Sequence, residues 1–215
     1  MSKIQNIFFD FGGVLLDLDI EKSFIELAHV LEIENNDLQL LIDKMMPYLM
    51  RYEVGEISSE TFLWHVQKLS TIDVDPKDLI RAWNAMLLGW NPEKLKVLEL
   101  LSSQFNVYLM SNTNELHLRW VMNDLDKNHG IIDFNTRFFK KAYYSHLIKL
   151  RKPEQALFDF IIQDSGVDPA ASIFVDDAEQ NAVAAGKAGF QAIHHPTNAP
   201  LDALFPMLEI EGLKL

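Results

Sequence analysis

Two patterns of hydrophobic residues alternate along this 215-residue chain. Short apolar runs of strand length lie at 7–9, 105–110 and 172–175, with weaker ones near 141–145 and 190–193. Between these runs apolar residues recur at helical spacing, for example after Asn91 and Pro92, which are expected to open a helix. Pro153 is expected at the first position of another helix, which Gly166 ends. Strand and helix in alternation predict an α/β protein with a parallel sheet and right-handed crossovers.

A block of helical patterns separates the first strand from the others. From Asp19 to about Gly89 the spacing predicts four amphipathic helices without a strand between them. Pro47 is expected to end the second helix, and the fourth is expected to include Leu87. A larger all-α fold would also contain such helices, but the strands on both sides disfavour it. We therefore expect a helical-bundle cap at 17–96, inserted into an α/β core formed by 1–16 and 97–215.

Polar residues directly follow the three strongest strand runs. Asp10 follows the first run and precedes Gly12, where a glycine lets the backbone approach a ligand closely. The other polar groups at strand ends or helix starts are Ser111, Asn112, Thr113, Lys152, Asp176 and Asp177. Taken alone, Asp10 fits a turn aspartate as well as a functional carboxylate. Together these residues supply a carboxylate that can attack an electrophile or ligate a hard cation, and a set that could hold a divalent cation and a phosphate.

Composition narrows the classes of partner. Hydrophobic residues make up 48% and charged residues 23% of the chain, which are globular values, and there is no cysteine. We expect no targeting or membrane segment, and the lack of cysteine fits the cytoplasm. The net charge of −12 argues against nucleic acid and anionic membranes as partners. A phosphate ligand would be repelled at long range, so its site must be locally positive; a bound divalent cation and Lys152 would make it so.

The polar residues occur in the order of four known motifs, and the chain resembles the haloacid dehalogenase (HAD) superfamily. Asp10 matches motif I, Ser111-Asn112-Thr113 motif II, Lys152 motif III and Asp176-Asp177 motif IV. Each motif alone is weak, whereas four in order, each at a predicted strand end or helix start, are specific. The resemblance covers nearly the whole chain. It implies a Rossmann-like parallel sheet with helices on both faces, and a cap.

The resemblance also implies a role for each motif residue. Asp10 is expected to be the nucleophile that forms an aspartyl-phosphate, and to ligate Mg²⁺ directly. The other metal ligands are expected to be the Gly12 carbonyl and Asp177, with Asp176 acting through a water or orienting the site. Phosphoryl oxygens are expected to bind the Ser111 hydroxyl, the backbone N–H groups of Asn112 and Thr113, and Lys152, which should also contact Asp10 and Asp177.

The chain departs from the superfamily two residues after the nucleophile. Most phosphatases and mutases of the superfamily have there a second aspartate that protonates the leaving group, but this chain has Gly12. The loss removes an effect worth roughly 10²–10⁴ in rate and argues against phosphomutase chemistry. Asp17 and Asp19 are candidates for part of the missing acid. The Asp-x-Gly form resembles a subgroup of bacterial sugar-phosphate phosphatases, among them α-D-glucose-1-phosphate phosphatase.

Three functions remain open at this point. The first is a Mg²⁺-dependent phosphatase of a small phosphorylated metabolite, which the motifs favour. The second is a 2-haloacid dehalogenase, which needs no metal and so leaves the carboxylate pair unexplained. The third is a non-catalytic binding or regulatory protein that lost turnover through Gly12.

The sequence also allows predictions about the location and role of a few further residues. Arg51, Glu53 and Glu56 are specificity candidates in a cap loop, whereas Arg151 is expected at the surface. The adjacent pair His194-His195 is not expected to bind metal, since neighbouring strand residues point to opposite faces.

Overall fold

The computed structural model describes residues 3–33 and 38–208, and the last part of the predicted core, 209–215, lies outside them. Its centre is a five-stranded parallel sheet, formed by β1 (Asn6–Phe9), β4 (Asn106–Ser111), β5 (Lys141–Tyr144), β6 (Ser172–Asp176) and β7 (Gln191–His194). The strands lie in the order β5-β4-β1-β6-β7. All five predicted strands are therefore confirmed, and so is the α/β fold class.

Helices cover both faces of this sheet. They are α5 (Pro92–Gln104), α6 (Glu115–His129), α7 (Phe134–Phe138), α8 (Ser145–Ile148), α9 (Gln155–Ser165) and α10 (Glu179–Lys187). Side chains of β1 alternate between the two faces: Ile7 and Phe9 join the core cluster that includes α5 and α6, and Phe8 joins the one that includes α9. The doubly covered parallel sheet explains why these strands are continuous apolar runs.

Between β1 and α5 the chain forms a helical insertion. Its helices are α1 (Ile20–Val30), α2 (Leu38–Glu53), α3 (Ser59–Gln67) and α4 (Pro76–Trp83). Ser58 caps α3 and Asp75 caps α4, each accepting a backbone N–H in the first turn. The four predicted cap helices are thus present. The domain boundaries at 16/17 and 96/97 stay a prediction.

Two expectations for the insertion are wrong. α2 does not end at Pro47 but continues to Glu53. Met45 before the proline and Tyr52 after it are both buried in one core, and this packing outweighs the roughly 3 kcal/mol that an internal proline costs. Leu87 is not helical: α4 is followed by a 3-10 turn and then by β3 (Leu87–Trp90), which pairs antiparallel with β2 (Leu16–Leu18).

The helix termini of the core follow the sequence signals with one exception. Asn91 caps α5, with its side chain accepting the Glu93 N–H at 2.9 Å. Gly166 ends α9 in the left-handed conformation, with φ of 68°, as expected. Pro153, however, precedes the helix rather than opening it, because α9 begins at Gln155. A 3-10 helix (Leu201–Leu208) packs Leu201 and other residues against the core. Within the described residues no helix is long and apolar enough to span a membrane.

Candidate active site

The sheet topology brings the polar strand ends together. β1 lies between β4 and β6, with Phe9 paired to Leu109 on one side and to Val175 on the other. The next residues along the three strands include Asp10 and Asp176, and Ser111 ends β4 one residue further. The Asp10 N–H donates to the Val175 carbonyl at 2.8 Å, which extends the ladder to the loop. Polar side chains therefore meet at the carboxyl end of the sheet, where open α/β folds bind ligands.

Three carboxylates form the centre of this edge. Asp10, Asp176 and Asp177 each offer an oxygen that lies within 4.8 Å of the others. Asp176 is fully buried, and the other two are partly buried. Burial, followed by the nearby Asp176 charge, raises the pKa of Asp10 to about 7, although Lys152 opposes the shift. Such a crowded set of acidic oxygens is the donor set that a hard divalent cation takes.

Lys152 is the buried cation of the site. Its Nζ lies 2.7 Å from Asp10 Oδ1 and 2.6 Å from Asp176 Oδ2, and its side chain is 1% exposed. Burial lowers the pKa of Lys152, but the two carboxylates more than offset this and hold the ammonium charged. The expectation that Lys152 contacts Asp10 is confirmed. Its second partner is Asp176 and not the expected Asp177, because Asp176 ends β6 with its side chain on the lysine side.

The two adjacent aspartates have different surroundings. Asp176 accepts the Ala178 N–H at 2.9 Å and the Asn181 amide at 3.0 Å through Oδ1, in addition to Lys152. Both of its oxygens are therefore occupied. Asp177 Oδ2 accepts from the Thr197 hydroxyl at 2.9 Å, and among the described residues no group donates to its Oδ1. Asp177 thus has the free oxygen that direct metal ligation requires, and Asp176 is held in place.

Two glycines in the loop after Asp10 lie close to other side chains, Gly13 to Asp177 and Gly12 to Leu18. Gly13 has a φ of 76°, and a Cβ there would collide with the Asp177 carboxylate. At Gly12 a Cβ would collide with the Leu18 side chain. Because glycine has no side chain, Gly12 can contribute only its backbone to the site, which fits its expected role as a carbonyl ligand.

Motif II is held in place by hydrogen bonds that the sequence did not predict. The Asn112 side chain accepts the Lys152 N–H at 2.9 Å and donates to the Lys152 carbonyl at 3.0 Å, so it ties the two motifs together. The Thr113 N–H donates to Ser145 Oγ at 2.9 Å and is not free for a phosphate, contrary to expectation. Ser111 is buried at the end of β4, and among the described residues its hydroxyl has no hydrogen-bond partner.

A cavity of about 320 Å³ separates the insertion from the sheet edge. Gly12, Ser111, Asn112 and Thr113 form its floor. Most of the wall is apolar and includes Phe11, Leu18, Phe24, Ile42, Leu49 and Trp83. Its volume suits a small metabolite. The lining reaches the loop after Asp10 through Phe11 and Gly12, whereas Asp10, Asp176, Asp177 and Lys152 do not themselves line the cavity.

His117 and Glu53 are the ionisable residues on the cavity wall. The His117 ring stacks on Trp83, with its Nε2 placed to donate to the Trp83 carbonyl at 3.1 Å and its Nδ1 to accept from Asn114. Burial lowers the pKa of His117 to about 4, so the ring is neutral at pH 7. Glu53, the last residue of α2, is thus the one charged side chain on the described part of the wall.

Of the three specificity candidates, only Glu53 reaches the cavity. Its Oε2 lies 3.0 Å from a guanidinium nitrogen of Arg151, and both side chains are about one-fifth exposed (19% and 20%). Arg151 is therefore not the surface residue that was expected. Arg51 and Glu56 form an exposed pair with each other at 3.3 Å. Glu53 and Arg51 also belong to α2 and not to a loop.

The two candidates for the missing acid are occupied elsewhere. Asp17 Oδ1 accepts from the buried Lys94 Nζ at 2.7 Å. Asp19 caps α1 by accepting the Lys22 N–H. Neither aspartate lines the cavity. The structure therefore gives no support to either as a leaving-group acid.

The site contains several partners that sequence reasoning missed. Asn181 lies in the first turn of α10, five residues after Asp176, so its closeness along the chain is a signal that could have indicated the contact. Ser145 and Thr197 had no such signal, because they reach the site from distant segments. His194 directs its ring to the Asp177 carbonyl at 2.9 Å, and His195 faces the Ala199 carbonyl, so the pair does not join the carboxylate cluster.

Comparison with known proteins places this geometry in a family. The model of the haloacid dehalogenase-like hydrolases matches residues 4–189. A D-ribitol-5-phosphate phosphatase from Bacteroides thetaiotaomicron is 29% identical over 201 residues, which cover 91% of this chain and 94% of the relative.

Two solved structures are similar over most of the chain. The HAD family enzyme BT-2542 from Bacteroides thetaiotaomicron, in complex with magnesium and inorganic phosphate, has a TM-score of 0.82 at 29% identity and covers 94% of this chain and 99% of its own. A predicted HAD-like family hydrolase from Porphyromonas gingivalis has a TM-score of 0.82 at 25% identity, with 99% and 100% covered. With its four motifs assembled at one sheet edge, this chain belongs to the haloacid dehalogenase-like hydrolase family.

Proposed function

We propose that this protein is a Mg²⁺-dependent phosphatase that hydrolyses a small phosphorylated metabolite through an aspartyl-phosphate on Asp10. The observation that carries this proposal is the cluster of Asp10, Asp176 and Asp177 beside the buried Lys152. The cluster combines a nucleophile, a cation site and a positive charge within one sheet edge. The relative named as a phosphatase and the similar enzyme solved with magnesium and phosphate support the same chemistry.

The residues present fit a magnesium ion. Asp10, Asp177 and the Gly12 carbonyl would hold it, and Asp176, whose oxygens are already occupied, would orient the site. Burial raises the pKa of Asp10 although Lys152 lowers it, so a further positive charge at this position would favour the ionised carboxylate. When bound, the ion supplies positive charge that reduces the repulsion between the phosphate oxygens and Asp10.

The chemistry of the chain's own residues follows from their positions. The Asp10 carboxylate attacks phosphorus, an Asp10 oxygen–phosphorus bond forms and the phosphorus–ester oxygen bond breaks; the ester oxygen leaves as an alkoxide that takes a proton from water. A second water then attacks the phosphorus and gives its proton to solvent, the Asp10 oxygen–phosphorus bond breaks, and inorganic phosphate and the Asp10 carboxylate are released. The Ser111 hydroxyl and the Lys152 ammonium stabilise the phosphoryl oxygens, and Asn112 keeps Lys152 in register with Ser111.

A sugar or polyol phosphate is the substrate class that we propose. The sequence resembles α-D-glucose-1-phosphate phosphatases, and the relative at 29% identity is named for D-ribitol 5-phosphate. The 320 Å³ cavity beside Ser111 has room for a leaving group of this size. These two phosphates are therefore the first compounds to test.

Release of inorganic phosphate, measured with and without Mg²⁺ on a panel containing both compounds, tests the proposal. We expect Mg²⁺-dependent release that disappears with EDTA. Halide release from 2-haloacids without metal would select the dehalogenase instead. If neither phosphate nor halide is released while ligand binding is retained, the result would favour a non-catalytic protein that lost turnover at Gly12.

A further inference from the structure

The cavity wall offers very few polar groups to a bound molecule. The Asn112 amide is used by the Lys152 backbone, and both ring nitrogens of His117 are used by Trp83 and Asn114. The floor residue Ser111 faces the phosphoryl group. Apart from this floor, two residues on the described part of the wall retain hydrogen-bonding capacity: Trp83, whose buried indole N–H has no partner and can only donate, and Glu53, whose carboxylate can accept from a leaving group.

Glu53 and Arg151 form a pair that is only partly satisfied. Arg151 lies 3.0 Å from Glu53 Oε2, and among the described residues no group donates a hydrogen bond to Glu53 Oε1. The Arg151 Nε is buried and also has no partner. An unused acceptor and an unused buried donor therefore occur in one ion pair that joins the insertion to the motif III loop.

We propose that Glu53 is a specificity-determining residue that accepts a hydrogen bond from a hydroxyl of the leaving group. It would therefore select uncharged leaving groups that carry a hydroxyl in addition to the phosphorylated one. The inference rests on the proposed function, because it concerns the leaving group of that phosphatase reaction. It assigns a role within the cavity to one residue of the insertion.

Charge and polarity decide between a hydroxyl and the other groups that could meet Glu53. An anionic group would be repelled by the Glu53 carboxylate, which is partly buried and lies among apolar wall residues. A cationic group would face Arg151 and the nearby Lys152, both positive. A hydroxyl is neutral and donates to a carboxylate without adding charge. Aliphatic and aromatic residues such as Phe24 and Trp83 cover the carbon skeleton.

The experiment is a deoxy scan in three proteins: wild type, Glu53→Gln and Glu56→Gln. Values of kcat/KM are measured with Mg²⁺ for D-ribitol 5-phosphate, for its monodeoxy analogues, for phosphoethanolamine and for p-nitrophenyl phosphate. Glu56→Gln is the matched control, since Glu56 lies three residues away in an exposed pair with Arg51. The aryl phosphate has no hydroxyl and reports the basal reaction.

We expect Glu53→Gln to lower kcat/KM for ribitol 5-phosphate by about 10- to 100-fold, the range for a hydrogen bond to a charged group. The aryl phosphate should lose much less than ribitol 5-phosphate in Glu53→Gln, because it has no hydroxyl for Glu53 to bind, and kcat/KM for every substrate should be unchanged in Glu56→Gln. With the wild type, kcat/KM for one deoxy analogue should be lower than kcat/KM for ribitol 5-phosphate by the same factor. With Glu53→Gln these two substrates should have equal kcat/KM, because the missing hydroxyl and the missing carboxylate belong to one interaction.

Several results would overturn the inference. One is that Glu53→Gln lowers kcat/KM for the aryl phosphate as much as for ribitol 5-phosphate. Another is that removing any hydroxyl lowers kcat/KM by the same factor in wild type and in Glu53→Gln. A preference for phosphoethanolamine over the polyol phosphate would do the same, as would failure of all polyol phosphates while the aryl phosphate turns over. Absence of Mg²⁺-dependent turnover with every compound would instead remove the proposed function itself.

Discussion

The Nζ of Lys152 lies 2.6 Å from Oδ2 of Asp176, and both side chains are almost completely buried. The same ammonium lies 2.7 Å from Asp10. One buried cation therefore holds the ends of β1 and β6 together before any ligand binds. A buried pair of this kind is costly to break, because the partner that remains is charged and removed from water.

We expect Lys152→Met to destabilise the metal-free protein by roughly 3–5 kcal/mol at pH 8, where the carboxylates are left without a counter-charge. Added Mg²⁺ should restore part of this, since it supplies positive charge to the same oxygens. Urea unfolding with and without Mg²⁺ measures both effects. Lys141→Met is the control, because Lys141 forms an exposed ion pair with Asp164. Equal losses in the two variants would show that Lys152 has no special structural role.

We expect Asp177→Asn to raise the Mg²⁺ concentration needed for half-maximal activity more than Asp176→Asn does. Asp177 has a free oxygen, whereas both Asp176 oxygens are occupied by Lys152, Ala178 and Asn181. Asp176→Asn should instead lower the unfolding free energy more. Mg²⁺ titrations and urea unfolding of both variants decide the matter, and the reverse order in the titration would exchange the two roles.

We expect the wild-type rate to depend steeply on the acidity of the leaving alcohol, because Gly12 leaves no side-chain acid to protonate it. Sugar 1-phosphates and aryl phosphates should therefore be hydrolysed faster than sugar 6-phosphates. Introducing Gly12→Asp requires space, since a Cβ there collides with Leu18. The double variant Gly12→Asp with Leu18→Ala should flatten a plot of rate against leaving-group pKa, with Leu18→Ala alone as control. A flat plot for wild type would mean that another group supplies the proton.

We expect His117 to make stability depend on pH between 6.5 and about 4. Burial lowers the pKa of this ring from 6.5 to about 4, so within that window the unfolded chain binds a proton that the folded protein does not. Stability is therefore fully present above pH 6.5 and falls as the pH drops, by roughly 3 kcal/mol over the window. The unfolding free energy of wild type minus that of His117→Gln, measured from pH 7 to 4, should show this slope. A constant difference would contradict it.

The sequence predicted those parts of the fold that depend on local pattern. β1, β4 and β6 are buried on both faces, so their apolar runs stand out, and the residues at their ends reach one edge by topology alone. β3 was missed because the short apolar run that begins at Leu87 fits a helix or a strand equally well. The prediction that α2 ends at Pro47 was wrong because tertiary packing outweighed the unfavourable effect of a proline inside a helix.

Within the site, the motif residues were predictable and their partners were not. Asp10, Lys152 and the aspartate pair meet as their motifs implied. The choice of Asp176 as the partner of Lys152 depends on side-chain direction at the end of a strand, which spacing does not encode. The Glu53–Arg151 pair joins segments almost one hundred residues apart, so no local signal could have revealed it.

Trapping the covalent intermediate tests the central claim most directly. The enzyme is mixed with excess substrate and Mg²⁺, quenched in acid during turnover and reduced with borohydride, which converts an aspartyl-phosphate to homoserine; peptides are then analysed by mass spectrometry. We expect homoserine at position 10 in wild type only when substrate and Mg²⁺ are both present, and none in Asp10→Asn, which should stay folded without turnover. Phosphate release with Asp10 unmodified, or homoserine at another aspartate, would contradict the account.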